Sequence, residues 1–257
     1  MKVSFPTHPL LGIRLLREKI ESFKGYPFEI PCIRTLDTLD FHPAVTFLVG
    51  ENGSGKSTLV EAIAVAFGFN AEGGSRNFRF STHATHSELS RYLRLMRGAR
   101  MAKNGYFLRA ESFYNVASKI DELDQIPSEA PSLNRAYGGK SLHARSHGES
   151  FMALMANRFR GNGLYILDEP EAALSPARQM AALVRIHELV NLNAQFIIAT
   201  HSPILMAYPN ARILLLSQAG ITETTYEETE HFAITREFLN DHRRFLHEFL
   251  KEGDAAP

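Results

Sequence analysis

The stretch Gly50-Glu51-Asn52-Gly53-Ser54-Gly55-Lys56-Ser57-Thr58 limits what this 257-residue chain can fold into more than any other part of it. It matches the pattern G-x-x-x-x-G-K-[ST] and follows the apolar run Val45-Thr46-Phe47-Leu48-Val49. After it, Leu59, Ile63, Ala66 and Phe67 recur at helical spacing. A strand, a glycine-rich turn and a helix in that order make a phosphate cradle. The glycines let the backbone curl so that N–H groups point inward, and the helix N-terminus adds the positive end of its dipole. Gly50, Glu51, Asn52, Gly53, Ser54, Gly55, Lys56, Ser57 and Thr58 are therefore candidate nucleotide-binding residues. In such a cradle Lys56 neutralises β- and γ-phosphates, and the Ser57 hydroxyl is offered to Mg2+.

The rest of the chain alternates in a way that suits an α/β fold with a mixed sheet. Residues 28–49 read as extended segments, and a helix is predicted over 57–69. Residues 70–110 read as strands and turns: Phe78-Arg79-Phe80 and Tyr92-Leu93-Arg94-Leu95 alternate, and Asn104-Gly105 reads as a hairpin turn before Tyr106-Phe107-Leu108. A helix over 113–123 gives way to loops at Pro127, Pro131 and Gly138-Gly139. Helical spacing resumes at Phe151, Leu154, Met155 and Phe159. Strands follow at 164–167, 196–200, 213–217 and 221–225, with helices over 176–192 and 235–250. This predicts one domain of two lobes: a nucleotide-binding lobe over about 1–111 and 162–257, and a small helical lobe over about 112–161.

Three polar residues at strand tips extend the cradle's chemistry. Leu164-Tyr165-Ile166-Leu167 ends in Asp168-Glu169, where Asp168 can hold the Mg2+ shell and Glu169 can accept a proton from an attacking water. Phe196-Ile197-Ile198-Ala199-Thr200 ends in His201, which can donate a hydrogen bond to a γ-phosphate. Other classes fall away. Neither Ser57 nor Ser202 sits in a G-x-S-x-G elbow. A single cysteine, Cys32, excludes an intramolecular disulfide and fits a reducing cytosol. No apolar run approaches the ~20 residues of a spanning helix and no signal-type h-region opens the chain, so a cytoplasmic protein without membrane insertion is expected.

Twenty-eight basic side chains balance twenty-eight acidic ones, which disfavours a sequence-blind nucleic-acid binder. Yet Arg76, Arg79, Arg91, Arg94, Arg97, Arg100, Lys103 and Arg109 face one acid, Glu88, within 76–109. They read either as a nucleic-acid face or as a solvated edge. His83 with His86, and His143 with His147, lack the cysteines or acid cluster of a metal site and read as loop histidines. Arg34 reads either as a nucleotide contact or as a surface arginine on a strand.

Taken together, these motifs resemble the ABC-type P-loop ATPases. The deciding segment is Ser146-His147-Gly148-Glu149-Ser150, which lies 22 residues before Asp168. Ser146, Gly148 and Glu149 fall on the serine, second glycine and glutamine of that family's LSGGQ signature; His147 replaces the first glycine and Arg145 the leucine. The plain alternative is a serine N-cap. The resemblance spans residues 28–217 and implies ATP and Mg2+ as ligands, ATP hydrolysis, Glu169 and His201 as catalytic residues, and Ser57 and Asp168 at the metal. It also implies an ATP-dependent homodimer in which Ser146, Gly148 and Glu149 complete the partner's nucleotide site. Ser175 stands where the family usually has the D-loop aspartate. Glu111, in Leu108-Arg109-Ala110-Glu111-Ser112, stands where the Q-loop glutamine is expected, and is the third candidate metal ligand. The altered Q-loop and the endings DEPEAALSP and ATHSP look more like the soluble branch of chromosome-maintenance, recombination and overcoming-lysogeny ATPases. That branch implies work in DNA repair, recombination or defence, with an unidentified protein partner. The alternative is the ATP-binding subunit of a membrane transporter.

Overall fold

Two sheets organise the computed structural model, which describes residues 7–76, 87–125, 137, 139 and 141–250. The larger sheet is built from β3 (Val45–Val49), β5 (Asn104–Arg109), β6 (Gly163–Asp168), β7 (Gln195–Ala199), β8 (Arg212–Ser217) and β9 (Gly220–Thr224). Its order is β5-β6-β7-β3-β8-β9, parallel except for the antiparallel β8–β9 edge. The smaller sheet is antiparallel, with β1 (Leu10–Leu15) between β2 (Thr38–Asp40) and β4 (Leu93–Arg97).

Every residue of β3, β6 and β7 is buried, as expected for parallel strands covered on both faces. Alternation divides them between two cores. Val45, Phe47, Val49, Tyr165, Leu167, Phe196 and Ile198 pack toward α3 (Phe113–Asp124), α4 (His147–Asn157) and α5 (Pro176–Asn191). Leu48, Leu164, Ile166, Ile197 and Ala199 pack toward α2 (Lys56–Phe67) and the smaller sheet. The segment 112–161 thus buries Phe113, Val116, Ile120, Phe151 and Leu154 in one core with the large sheet. β6, β7 and β3 are neighbours and parallel, so their carboxyl ends lie side by side.

Several expectations change. Asn104-Gly105 is not a hairpin turn: both residues begin β5, which runs parallel to β6. Gly105 is there for close approach, since a Cβ would come within 2.8 Å of the Leu164 carbonyl and the Phe69 ring. The segment 28–49 is not extended throughout, because Pro31 at the first helical position opens the short helix α1 (Pro31–Arg34). Arg34 is therefore helical. Tyr92 closes a 3-10 turn over Glu88–Tyr92 rather than opening β4. The predicted terminal helix is two helices, α7 (Glu230–Asn240) and α8 (His242–Phe249), broken at Asp241, whose backbone is non-helical (φ −149°, ψ 65°) and whose carboxylate accepts from the Arg244 N–H. The predicted Phe78-Arg79-Phe80 strand, His83, His86, Pro127, Pro131 and Gly138 lie outside the described residues.

Candidate functional site

The cradle forms between β3 and α2. Gly50 has φ 146° and sits against the Leu216 carbonyl, while Gly55, with φ 95°, caps α2. A Cβ on Gly55 would meet Cys32 Sγ and Ile30 at 2.8 Å, so the loop is pressed onto the segment carrying α1. Lys56 is 4% exposed, and its ammonium donates to the Gly50 and Glu51 carbonyls at 2.8 Å. Burial lowers its pKa, against the pull of Glu169, Asp168 and Glu171. Ser54 Oγ is buried without a hydrogen-bond partner among the described residues. Cys32 donates to the Ser54 carbonyl at 2.9 Å, and burial pushes its thiol up to about 12, so it serves packing rather than chemistry.

Asp168, 3% exposed at the end of β6, accepts from the Ser57 hydroxyl at 3.1 Å. Burial pushes its carboxyl up to about 6, with Arg109 and Ser57 opposing. Arg109 pairs with Asp168 in the β5–β6 register. Its Nε lies 3.6 Å from Asp168 Oδ2, while its other nitrogens reach Glu61 at 2.7 Å and Glu111 at 3.3 Å. The Glu111 side chain, 79% exposed, is thus engaged by Arg109 rather than joined to the Ser57–Asp168 pair. Sequence reasoning counted Arg109 among the surface cations. Its signal was its place at a strand tip beside a buried acid.

Glu169 takes a left-handed backbone at φ 50°, ψ 52°, and its N–H donates to the Ala199 carbonyl at 2.9 Å. A non-glycine residue held there costs about 1–3 kcal/mol, which the surrounding strands must sustain. Glu169 Oε1 lies 3.7 Å from His201 Nε2. That nitrogen is buried without a hydrogen-bond partner among the described residues, and the ring's Nδ1 is 2.8 Å from His231 Nε2. Glu171, which sequence reasoning passed over, holds the strand tip: it accepts from Thr200 Oγ1 at 2.7 Å and from the His201 N–H at 2.6 Å. Tyr26 is a second omission, its hydroxyl 3.3 Å from Thr58 Oγ1 and its side chain largely exposed beside the cradle.

The structure therefore joins Lys56, Ser57, Asp168, Glu169 and His201, and sets Ser146, Gly148 and Glu149 apart. The loop residues Gly50–Ser54 line a cavity of about 490 Å3, closed on its other side by residues 215–219 and 229–231. Ser146 lines another, of about 220 Å3, with Tyr114, His143, Arg145 and His147. Ser146 caps α4 in a capping box: its hydroxyl accepts from the Glu149 N–H at 3.4 Å, and its own N–H donates to Glu149 Oε2 at 3.0 Å. Arg178 of α5 reaches Ser146 Oγ at 3.4 Å and Glu149 Oε1 at 3.5 Å. The bonds from Ser146 hold the Glu149 carboxyl below its ordinary range. Gly148 is buried, and a Cβ would crowd Arg178 and the Ala173 carbonyl.

Among the described residues no group of three or more His, Cys, Asp or Glu side chains could hold a metal ion; His143 instead contacts Ser118 Oγ at 3.0 Å. Arg34 lines a cavity with Arg17, Phe23 and Asp37 and does not line the loop's. The donors that do fit Mg2+ and phosphate are those of the cradle. A serine hydroxyl and a carboxylate at 3.1 Å offer hard oxygen ligands, and Lys56 with inward-curled backbone suits a phosphate. The unpartnered Ser54 Oγ and His201 Nε2 are further groups with bonding capacity left.

A family model described as "AAA domain" matches residues 19–129. Another, described as "AAA domain, putative AbiEii toxin, Type IV TA system", matches residues 85–207. A Haemophilus influenzae protein described as an uncharacterized ABC transporter ATP-binding protein is 28% identical over 188 residues, covering 66% of this chain and 69% of that protein. A solved ATP-binding cassette of an ABC transporter in its ADP conformation aligns with TM-score 0.50 and 17% identity, covering 96% of this chain and 100% of its own. A nucleotide-free cassette aligns with TM-score 0.51 and 16% identity, covering 95% and 100%.

Proposed function

We propose that this chain, which has the α/β fold of ATP-binding cassettes and matches AAA-domain models over residues 19–129 and 85–207, is an Mg2+-dependent ATPase switch that closes into a homodimer on ATP and reopens after hydrolysis. The observation that carries this reading is the meeting of Ser57 and Asp168, 111 residues apart in sequence, beside buried Lys56, with Glu169 and His201 facing each other at 3.7 Å.

Lys56 and the loop N–H groups of Gly50 to Thr58 bind the phosphates. Ser57 and Asp168 hold Mg2+, which when bound neutralises phosphate charge and polarises the phosphoryl oxygens. Glu111 is the weaker candidate ligand, since it reaches the site only by leaving Arg109. Glu169 orients the attacking water and accepts its proton, and its constrained backbone fixes where the carboxylate points. His201 donates to the γ-phosphate through Nε2. Ser146 and Gly148 of a second copy complete that phosphate's surroundings, with Glu149 fixing the cap. Phosphoryl transfer of this kind depends almost wholly on positioning and electrostatics, so a lone subunit is a poor catalyst.

The chain acts as one domain of two lobes in the cytoplasm, in DNA repair, recombination or defence. Arg109 and Glu111 at the tip of β5, where a transporter cassette is expected to carry a glutamine, support that role. No described helix is long and apolar enough to cross a membrane. A transporter's ATP-binding subunit is the second reading, favoured by the description of the Haemophilus influenzae relative. The test is phosphate release and light scattering on the purified chain. Turnover should require Mg2+ and rise with protein concentration, and the mass should double with ATP and not with ADP. Concentration-independent turnover with no ATP-driven mass change would overturn the switch.

A further inference from the structure

We propose that His231 is a positioning residue that fixes the ring tautomer of His201 and so decides which of its nitrogens presents a proton to the nucleotide site. The inference deepens the reading of His201 as a phosphate donor and rests on it.

His231 is the second residue of α7, on the wall of the cavity facing the phosphate loop. Its position is set by Thr229, 2% exposed, whose hydroxyl accepts from the Phe232 N–H at 3.4 Å and donates to the Tyr226 carbonyl at 2.7 Å. The His201 backbone is held from the other side by Glu171. Between these anchors the two rings meet at 2.8 Å, His201 Nδ1 against His231 Nε2, with ring centroids 5.0 Å apart.

Burial, followed by the Lys56 charge, lowers the pKa of both imidazoles, so both are neutral at pH 7 and each carries one N–H. A contact of 2.8 Å between two ring nitrogens needs one proton between them, which leaves two arrangements. If His231 Nε2–H donates, His201 Nδ1 accepts and its proton sits on Nε2, facing Glu169 Oε1 at 3.7 Å. If His201 Nδ1–H donates, its Nε2 lone pair faces that carboxylate and offers no donor. The Glu169 charge selects the first arrangement, and His231 holds it by supplying the donor. For histidines that ligate metals, loss of the partner that fixes the ring tautomer typically costs about 10–100-fold in affinity or activity, and an effect of the same size is expected for a histidine that must present its proton to a phosphate.

The test combines nitrogen NMR on the 15N-labelled, nucleotide-free full chain with steady-state turnover. In the wild type, His201 Nδ1 should be unprotonated and Nε2 protonated. His231→Gln, whose amide can still donate across the gap, should keep that tautomer and a kcat within about threefold of wild type. His231→Phe, with no donor, should lower kcat about tenfold. His231→Glu, which only accepts, should move the proton to Nδ1 and lower kcat about a hundredfold with the KM for ATP little changed. A protonated Nδ1 in the wild type, or a His231→Glu variant with wild-type tautomer and turnover, overturns the proposal. His201→Ala separates the two claims. Should it keep full turnover, the phosphate-donor reading of His201 fails, while the tautomer measurement still decides the bond to His231.

Discussion

The phosphate cradle and the N-terminus of α4 both present helix ends, serines and glycines, yet they treat their polar groups in opposite ways. At the cradle, Ser54 Oγ and His201 Nε2 are buried without hydrogen-bond partners among the described residues. Asp168 is buried far enough that its carboxyl is pushed up to about 6, and Glu169 holds a left-handed backbone. At α4, Ser146 and Glu149 satisfy each other in a capping box, and Arg178 braces both. The cradle keeps groups in reserve at a cost in stability, which is what a site waiting for a charged ligand must do. The α4 terminus is complete within one chain, so a second role there needs a partner copy able to displace or add to bonds already made.

The largest effect that could break this contrast lies at Lys56. Lys56→Ala should weaken MgATP binding about a thousandfold in equilibrium titration, since it leaves anionic phosphates in a buried cradle without their cation. Near-normal affinity would mean that residues 50–58 do not hold the nucleotide.

Glu169→Gln keeps the side chain's size and leaves Ser57 and Asp168 in place, but removes the base. Phosphate release should fall about 10²–10³-fold while ATP binding persists. With MgATP the variant should elute as a dimer in size-exclusion chromatography with light scattering, because ATP bound only between two copies stabilises the pair by linkage. Adding Ser146→Arg should return it to monomer. A variant that dimerises equally with ADP removes the second phosphate site from the reading.

The two regions should also differ in the sign of their stability effects. Asp168 binds its proton more tightly in the folded chain than in the unfolded one, so this group's contribution to stability falls as pH rises from about 4 to about 6 and stays low above that. In the nucleotide-free protein, Asp168→Asn should therefore raise stability at pH 7.5 by up to about 3 kcal/mol, a gain that fades toward pH 4. Chemical denaturation at both pH values measures it; no gain at pH 7.5 would mean that Arg109 fully compensates the buried charge. The smallest effect has the opposite sign. Ser146→Ala should cost about 1 kcal/mol of stability through the lost cap. Ser146→Asp, itself a good cap, should recover that stability yet still abolish ATP-driven dimerisation, since a carboxylate repels phosphate. If Ser146→Asp dimerises like the parent, Ser146 is a cap and nothing more.

How much of this was legible depends on the range of the interactions. The loop and its helix could be read because their geometry is local: glycines at positive φ, a lysine and a serine at fixed spacing, and a helix start between them. The serine N-cap at Ser146 was legible for the same reason, as the alternative to a family signature, whereas the reciprocal bond from Glu149 that completes the capping box came only with the structure. Asn104-Gly105 misled because the pair suits a tight turn, while Gly105 in fact answers to Phe69 and the Leu164 carbonyl. The two helices at the end of the chain read as one because Asp241 breaks them without a proline or glycine.

By itself the sequence determined the strand–loop–helix unit, the buried parallel strands and the acids and histidine at their tips, since each follows from residue spacing within a few turns of chain. Only the tertiary structure decided what those tips touch. The strand order β5-β6-β7-β3-β8-β9 departs from chain order, so it is pairing across the sheet that sets Arg109 beside Asp168 and brings Ser57 to the same carboxylate. Glu171 under His201, and His231 across from it, follow from how the 3-10 turn Pro170–Ala173 and α7 pack onto that edge. These contacts bridge 30 residues or more, and they form because burying both faces of the sheet fixes where every strand must end.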